Sequence, residues 1–551
     1  MTGVPRNDDI RRVAEERFGW ARLRDEQVEA MEHVLAGHDV LAVLPTGAGK
    51  SAIYQVPAVL LPGPTVVVSP LIALQHDQID GIEESRAPDA VALNSTQSAA
   101  ERRAAWETLR DGRAEYVFLS PEQLAGDDLV ADLAGLGVSL FVVDEAHCVS
   151  AWGHDFRPDY LRLAPVVEQL GHPPVVALTA TASLPVRRDI ADRLGLRDHR
   201  EVVTSFDRPN LHLAVERCTD DAGKRSAVVA RIVALTADPE TRRGLVYTAS
   251  RRDAERYAEE LAGPGVRVAV YHAGLAAGER DRVHQSFLAD ELDVVVATSA
   301  FGMGIDKPDV RFVVHASVQD SLDSYYQQIG RAGRDGAPAT ATLFYRPEDL
   351  ALQNFLTGGK PPRDTVEAVA RAVREAGEPV RPADLADRVD AVPARRTRAI
   401  NLLEQADVLT ADTEGRLTYA DPRRTPEQAT EAALESAEHH HRLVRSRLDM
   451  LRGYAETTGC RRQYLLGYFG EELDEPCGNC DTCEAGTAKP LRPASGEFPR
   501  DSSVHHAEWG HGVVISTEPD RMTVLFDENG YKTLSIAAVR ENNLLTVEDE
   551  G

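Results

Sequence analysis

Short apolar runs punctuate the first 200 residues, each followed by a stretch with helical spacing. Val66-Val67-Val68, Tyr116-Val117-Phe118-Leu119, Leu140-Phe141-Val142-Val143 and Val175-Val176-Ala177-Leu178 lack an alternating polar face. A strand covered on both sides reads this way, so each run predicts a buried parallel strand. The pattern restarts near residue 224 with Gly244-Leu245-Val246-Tyr247, Val266-Arg267-Val268-Ala269-Val270, Val294-Val295-Val296 and Phe312-Val313-Val314. Strands alternating with helices in two blocks predict two α/β domains. Arg208-Pro209-Asn210 lies near their seam.

The strand rhythm stops after about residue 350, and Pro361-Pro362 marks a break. The next sixty or so residues hold three short helical patterns: Val366–Val369, Ala383–Ala386 and Arg395–Leu403. Val408-Leu409 and Leu417-Thr418-Tyr419 follow, bracketing Glu414-Gly415. Three helices and a glycine-turned hairpin are the layout of a winged helix; a plain helical spacer is the alternative. Residues 426–456 are helical and polar, and Glu484–Ser503 is a Pro, Gly, Ala and Ser-rich linker. Val513–Ile515, Met522–Phe526 and Lys532–Leu534, with turns at Gly510, Gly512 and Gly530, predict a small β-barrel.

A chain of 551 residues with 43% hydrophobic content has material for several cores. No run of about 18 apolar residues exists to span a membrane, and Met1–Arg12 has no secretory core. A cytosolic protein is therefore expected. Lys+Arg 61 against Asp+Glu 88 gives −27, which reads as a solvated acidic surface and leaves room for a local basic stripe. Cys148 and Cys218 stand alone, whereas Cys460, Cys477, Cys480 and Cys483 cluster. Four thiolates, three of them within seven residues, suit a closed tetrahedral zinc site; redox pairing or an iron–sulfur cluster are the alternatives.

Leu44-Pro45-Thr46-Gly47-Ala48-Gly49-Lys50-Ser51 has the makings of a phosphate loop. Gly47 and Gly49 let the backbone curl, Lys50 can reach the β/γ-phosphates, and Ser51 can hold Mg²⁺. Strict G-x-x-x-x-G-K-[ST] would have glycine where Leu44 stands. Asp144-Glu145-Ala146-His147 follows the run Leu140–Val143, putting carboxylates at a strand's C-terminal end. Asp144 there can coordinate Mg²⁺, and Glu145 can activate water. In the second block, Gln327-Gln328-Ile329-Gly330-Arg331-Ala332-Gly333-Arg334 places two arginines three apart, expected on one helical face. One of them suits the spread charge of a transferring phosphoryl group.

Together these segments resemble the RecQ family of superfamily 2 DNA helicases. Phe18-Gly19-Trp20 with Leu23-Arg24 and Gln27 resembles its adenine-recognition motif, which implies that Gln27 pairs with adenine and Arg24 supports it. Val68–Leu74, Ser120-Pro121-Glu122 and Thr179-Ala180-Thr181-Ala182 resemble motifs that track DNA or couple hydrolysis to domain movement. Asn94–Gln97, Ser205–Asn210, Tyr271–Leu275 and Ala300–Pro308 complete the likeness. Cys148–Tyr160 resembles the aromatic-rich loop that senses single-stranded DNA, implying DNA contacts from Trp152, His154, Phe156 and Arg157. Stacking on such rings is worth roughly 1–3 kcal/mol per base.

The resemblance implies ATP, Mg²⁺ and Zn²⁺ as cofactors. Lys50, Asp144, Glu145, His147, Gln328, Arg331 and Arg334 would be catalytic. Arg24, Gln27, Thr46, Gly47, Gly49, Lys50, Ser51 and Asp144 would hold the nucleotide. The expected fold is α/β: two tandem RecA-like parallel-sheet domains (1–205, 206–350), a winged-helix-like insertion (362–422), a helical zinc module (423–484), a linker (485–503) and a Tudor/SH3-like barrel (504–551). A 3′–5′ motor on single-stranded and partially duplex DNA follows, in repair, recombination and replication, with a bacterial cytosolic, nucleoid-associated location. An RNA helicase of the same superfamily and a tethering protein with a dead motor are the competing readings. The family usually carries its winged helix after the zinc module, whereas the winged-helix-like unit here precedes it. If the insertion is a winged helix, Arg395, Arg396 and Arg398 are its phosphate contacts. The tail resembles the barrel that ends UvrD/PcrA helicases, implying a protein partner such as RNA polymerase.

Overall fold

The computed structural model describes residues 7–94, 97–125, 127–150, 157–302, 307–351, 363–412, 415–489, 497–518 and 520–548. Within them the first apolar block forms β1 (Val40–Val43), β2 (Thr65–Val68), β3 (Asp89–Leu93), β4 (Ala114–Leu119), β5 (Leu140–Val143), β6 (Val175–Thr179) and β7 (Arg200–Val203). These make one sheet in the order β3-β4-β2-β5-β6-β1-β7, parallel throughout. Alternate side chains feed two cores: Leu41 and Val43 face one layer, and Val40, Ala42 and Leu44 the other. Burial on both faces is why the central strands read as nearly continuous apolar runs.

The second block forms β8 (Leu211–Arg217), β9 (Gly244–Tyr247), β10 (Val268–Tyr271), β11 (Val294–Ala297), β12 (Phe312–His315) and β13 (Ala339–Tyr345). Their order is β10-β11-β9-β12-β13-β8, again parallel. Parallel order aligns the C-terminal strand ends, where loops of such sheets bind ligands. β1, β2, β5 and β6 end at the phosphate loop, Ser69-Pro70, Asp144 and Thr179.

Beyond the sheets, the helix Arg363–Ala376, a single 3₁₀ turn Asp384–Asp387 and the helix Pro393–Gln405 precede the antiparallel pair β14 (Leu409–Ala411) and β15 (Leu417–Tyr419). They enclose their own core, including Val366, Val369, Leu385, Leu403 and Leu417. This is the helix-and-hairpin order expected, with the middle helix reduced to one turn. Helix Pro426–Glu456 is capped by Thr425, which accepts from Gln428 N while Gln428 reaches back. Ala429 and Ala433 at its start join the helix–hairpin core, and Met450, Leu451 and Tyr454 near its end join the motor core. The short helix Arg461–Phe469 and the turn Asp481–Glu484 follow.

The tail folds as β16 (Ser503–His506), β17 (Gly510–Thr517), β18 (Arg521–Phe526), β19 (Gly530–Ser535) and β20 (Leu545–Val547), antiparallel in the order β19-β18-β17-β16-β20. This antiparallel sheet, wrapped around a core of Val504, Val514, Val524 and Phe526, is the small β-unit expected at the tail; among the described residues β19 and β20 share no ladder. It docks on the long helix. A Cβ on Gly530 would lie 2.1 Å from Ser446 Oγ, and Arg442 Nε donates to Glu528 O at 3.2 Å. No described helix is long and apolar enough to cross a membrane.

Candidate nucleotide and zinc sites

The phosphate loop runs from β1 into the helix Ala52–Leu60, whose N-terminus carries the partial positive charge that favours phosphate. Leu44, where a glycine was expected, is fully buried, and its N–H donates to Thr179 O at 3.1 Å. Its side chain anchors the loop in the core while its backbone continues the sheet. Gly47 (φ 82°) and Gly49 (φ 73°) are left-handed and exposed. A Cβ on Gly47 would lie 3.0 Å from Arg334 Cδ, and one on Gly49 would lie 2.7 Å from Gln27 Nε2. Both glycines thus have a conformational and a packing reason.

Gln27 is buried on the helix Asp25–Leu35. Its amide donates to Ala48 O (3.0 Å) and Gly49 O (2.8 Å), and its oxygen accepts from Arg24 N at 2.8 Å. The residue expected at adenine therefore grips the phosphate loop directly. Lys50 Nζ donates to Leu44 O at 3.4 Å. Burial lowers the Lys50 pKa, Glu145 and Asp144 oppose this, and Arg334 and Arg331 reinforce it. Residues of the two sheets thus meet around one lysine.

At the end of β5, Asp144 Oδ1 accepts from Glu145 N (2.9 Å) and Oδ2 from Gln78 Nε2 (3.1 Å). Gln78 in turn accepts from Tyr54 OH at 2.8 Å. Tyr54 and Gln78 orient the carboxylate, and no motif in the sequence marked either. Burial, then the neighbouring Glu145, pushes the Asp144 carboxyl up to about 6, against the pull of Lys50. Glu145 adopts a left-handed φ of 49°, a strained conformation for a residue with a side chain. His147 Nδ1 lies 3.1 Å from Thr179 Oγ1 and 3.3 Å from Glu145 Oε2. Thr179 Oγ1 already donates to Thr181 O, so it accepts from His147, which fixes a proton on Nδ1. Glu145 thus lies beside His147, whose ring is held by Thr179.

The arginine segment departs from expectation. The helix Leu322–Ile329 stops before Gly330, and Arg331 to Asp335 form turns, so the two arginines share no helical face. Gly333 is left-handed (φ 60°), and the carbonyls of Gly330, Ala332 and Gly333 bind the Arg208 guanidinium instead of helical N–H groups. Arg331 is buried beside Tyr247, and its Nε has no hydrogen-bond partner among the described residues. Arg334 crosses over Gly47, and Thr46 Cβ lies 3.8 Å from where a Gly330 Cβ would sit. Gln328 is buried with its oxygen 2.8 Å from His315 Nε2, pointing into its own domain. Ser51 caps the loop helix without a side-chain cap bond.

Trp152, His154 and Phe156 lie outside the described residues. Arg157 donates from Nη1 to Pro70 O at 2.9 Å, tying the end of that segment to the loop after β2.

The four clustered cysteines converge: their sulfurs all lie within 4.8 Å of one another, and none is in a disulfide. The Cys477–Cys483 sulfur separation is 4.0 Å. Sulfurs about 2.3 Å from a tetrahedral zinc stand at about this spacing. Cys477 N donates to Cys460 Sγ and Asn479 N to Cys477 Sγ, bonds that favour thiolates.

Two parallel-sheet domains with a phosphate loop on one and arginines on the other define a nucleoside-triphosphate-driven motor. Family comparison agrees: the DEAD/DEAH box helicase family matches residues 24–190, the helicase conserved C-terminal domain 226–336, and the RecQ zinc-binding family 419–484. The chain is 35% identical to the probable ATP-dependent DNA helicase RecS of Bacillus subtilis, covering 85% of this chain and 89% of that protein. It is 34% identical to the ATP-dependent DNA helicase RecQ of Haemophilus influenzae (85% of this chain, 62% of that one). It is 41% identical to the Bacillus subtilis RecQ (62% and 56%). The chain thus spans about three-fifths of those RecQ proteins. Among solved structures, the DUF1998 helicase MrfA bound to DNA shares the fold (TM-score 0.52, 16% identity, 76% of this chain and 63% of that one). The chain belongs to the RecQ family of ATP-dependent DNA helicases.

Proposed function

We propose that this protein couples ATP hydrolysis across its two sheets to 3′–5′ movement on single-stranded DNA, and so separates duplex DNA in repair, recombination and replication. The observation that carries the reading is the meeting of the phosphate loop with Arg331 and Arg334 around Lys50. In this reading Gln27, supported by Arg24, exchanges a bond to the loop carbonyls for the adenine edge, so base recognition is felt at the phosphate loop. Thr46, Gly47, Gly49 and Lys50 cradle the phosphates. Ser51 and Asp144 hold Mg²⁺, which supplies charge neutralisation at the phosphates when bound. Glu145, restrained by His147, orients the attacking water. Arg331 offers a buried guanidinium to the transferring phosphoryl group, Arg334 closes over the loop, and Gln328 supports their turn from below. Cys460, Cys477, Cys480 and Cys483 hold structural zinc.

Trp152, His154, Phe156 and Arg157 form the DNA-sensing loop, and the anchor from Arg157 to Pro70 gives it a mechanical route to the end of β2. The divisions 1–205, 206–350, 362–422, 423–484, 485–503 and 504–551 are the working units. Exposed Arg395 and Arg398 on the helix Pro393–Gln405 support a phosphate-contacting face there. Ile515, Leu525 and Tyr531 of β17 to β19 pack into this chain's own core, so β16 and β20 are the strands left for a protein partner such as RNA polymerase. Unwinding of a tailed duplex in the presence of ATP and Mg²⁺ tests the reading, and ATP turnover without strand separation overturns it.

A further inference from the structure

We infer that the segment joining the two sheets, Ser205–Asn210, positions the arginine turn, with Arg208 and Asn210 as positioning residues and the zinc module as the clamp that holds the segment. The inference rests on Arg331 serving the phosphoryl group. Arg208 Nη1 donates to Gly330 O (3.3 Å), and Nη2 donates to Ala332 O (2.8 Å) and Gly333 O (3.0 Å). Asn210 Nδ2 donates to Gly333 O and Ala337 O, both at 2.8 Å. Every hydrogen bond of the Arg208 side chain among the described residues therefore runs to the turn that bears Arg331 and Arg334. A planar, multi-donor guanidinium can bind three carbonyls of one turn; a lysine ammonium lacks that fixed fork. Gly333 is shaped to match, since a Cβ there would lie 2.5 Å from Asn210 Nδ2.

The segment is itself gripped from the other side. Glu471 accepts from Phe206 N (2.9 Å) and Ser205 Oγ (3.1 Å), and Phe206 stacks on Phe469 with ring centroids 4.6 Å apart at 13°. Arg462 Nη2 donates to Leu211 O at 2.7 Å, and Nε lies 3.5 Å from Asp207. Asn479, between Cys477 and Cys480, donates to Pro209 O at 3.0 Å. Tyr326, on the helix leading to the arginine turn, donates to Phe206 O at 2.8 Å. A chain of direct contacts therefore runs from the zinc ligands through the joining segment to the arginines. The clamp fixes the segment, and the segment fixes the turn.

A misplacement of about 1 Å at a reacting group costs about a hundredfold in rate. Arg208→Lys in the full chain, saturated with single-stranded DNA, should lower kcat about 10- to 100-fold with KM for ATP changed less than about threefold. Asn210→Asp, which replaces a donor with an acceptor, should do the same and guards against a misfolded first variant. Adding Arg208→Lys to Arg331→Ala should cost nothing further, because the lost positioning serves the absent arginine. Glu471→Ala should also lower kcat without loss of zinc. Unchanged kcat in the Arg208 and Asn210 variants, or the same fold loss in the Arg331→Ala background, overturns the positioning role. Unchanged kcat in Glu471→Ala overturns the clamp. Full kcat in Arg331→Ala alone overturns the parent reading instead, so the two failures are distinct.

Discussion

Replacing His315 isolates one buried titration in the second motor domain. His315 ends β12, stacks on Tyr247 (5.4 Å), meets Tyr325 at a tilt (4.8 Å), and donates from Nε2 to Gln328 at 2.8 Å. Burial pushes its pKa from the ordinary 6.5 down to about 4, against the bond to Gln328. Its depressed folded pKa means stability is fully present above 6.5 and is lost as pH falls from 6.5 through 4. At pH 5 the unfolded histidine is almost fully protonated and the folded one almost neutral, a loss of about 2 kcal/mol; below pH 4 the loss approaches about 3 kcal/mol. His315→Phe keeps the ring packing but strands the Gln328 oxygen, which costs about 1–3 kcal/mol at every pH. Wild type should therefore be the more stable at pH 7.5, and its advantage should shrink by about 2 kcal/mol at pH 5. Calorimetry of both proteins reads this as a convergence of the second domain's transition temperatures by about 4–8 °C, at 2–4 °C per kcal/mol for a domain of that size. Every other titrating group is common to both proteins and cancels. Melting curves that stay parallel from pH 7.5 to 5 would contradict a depressed His315 pKa in the fold.

Cys480→Ser removes a fully buried sulfur from the cluster, so metal analysis should find zinc lost and proteolysis should open residues 457–489; retained stoichiometric zinc would remove Cys480 from the ligand set. Gly47→Ala forces a left-handed alanine against Arg334, at about 1–2 kcal/mol for the conformation alone. A nucleotide-binding titration should show roughly tenfold weaker ATP affinity, and wild-type affinity would show that the loop tolerates a side chain there.

How much of this was legible beforehand follows from where each feature is encoded. The central strands β2, β4, β5 and β6 are covered on both faces, so burial leaves a continuous apolar run in the sequence. Edge strands are harder: β7 reads Arg200-Glu201-Val202-Val203, with Glu201 and Val203 exposed, and offers no such run. The phosphate loop, the acidic strand end and the cysteine cluster are local in sequence, so spacing alone exposes their chemistry. The arginine turn is not local. Spacing of three suggested a helix, but the carbonyls that would continue it are bound by Arg208 and Asn210, about 120 residues earlier. Gln78 and Tyr54 are invisible for the same reason: only in the folded chain does Tyr54 bond Gln78, and Gln78 bond Asp144, 66 residues further on. Leu44 looked like a defect in the motif and proved to be the loop's anchor in the core.

If hydrolysis at this cleft drives strand separation, unwinding and ATP turnover must both depend on Lys50. Wild type and Lys50→Ala are compared on a duplex with a 3′ single-stranded tail and on its 5′-tailed counterpart, with ATP and Mg²⁺. Wild type should separate the 3′-tailed duplex, leave the 5′-tailed one paired, and turn over ATP faster when single-stranded DNA is present. Lys50→Ala should do neither. Separation by Lys50→Ala, or failure of wild type to open the 3′-tailed duplex while hydrolysing ATP, would contradict that coupling.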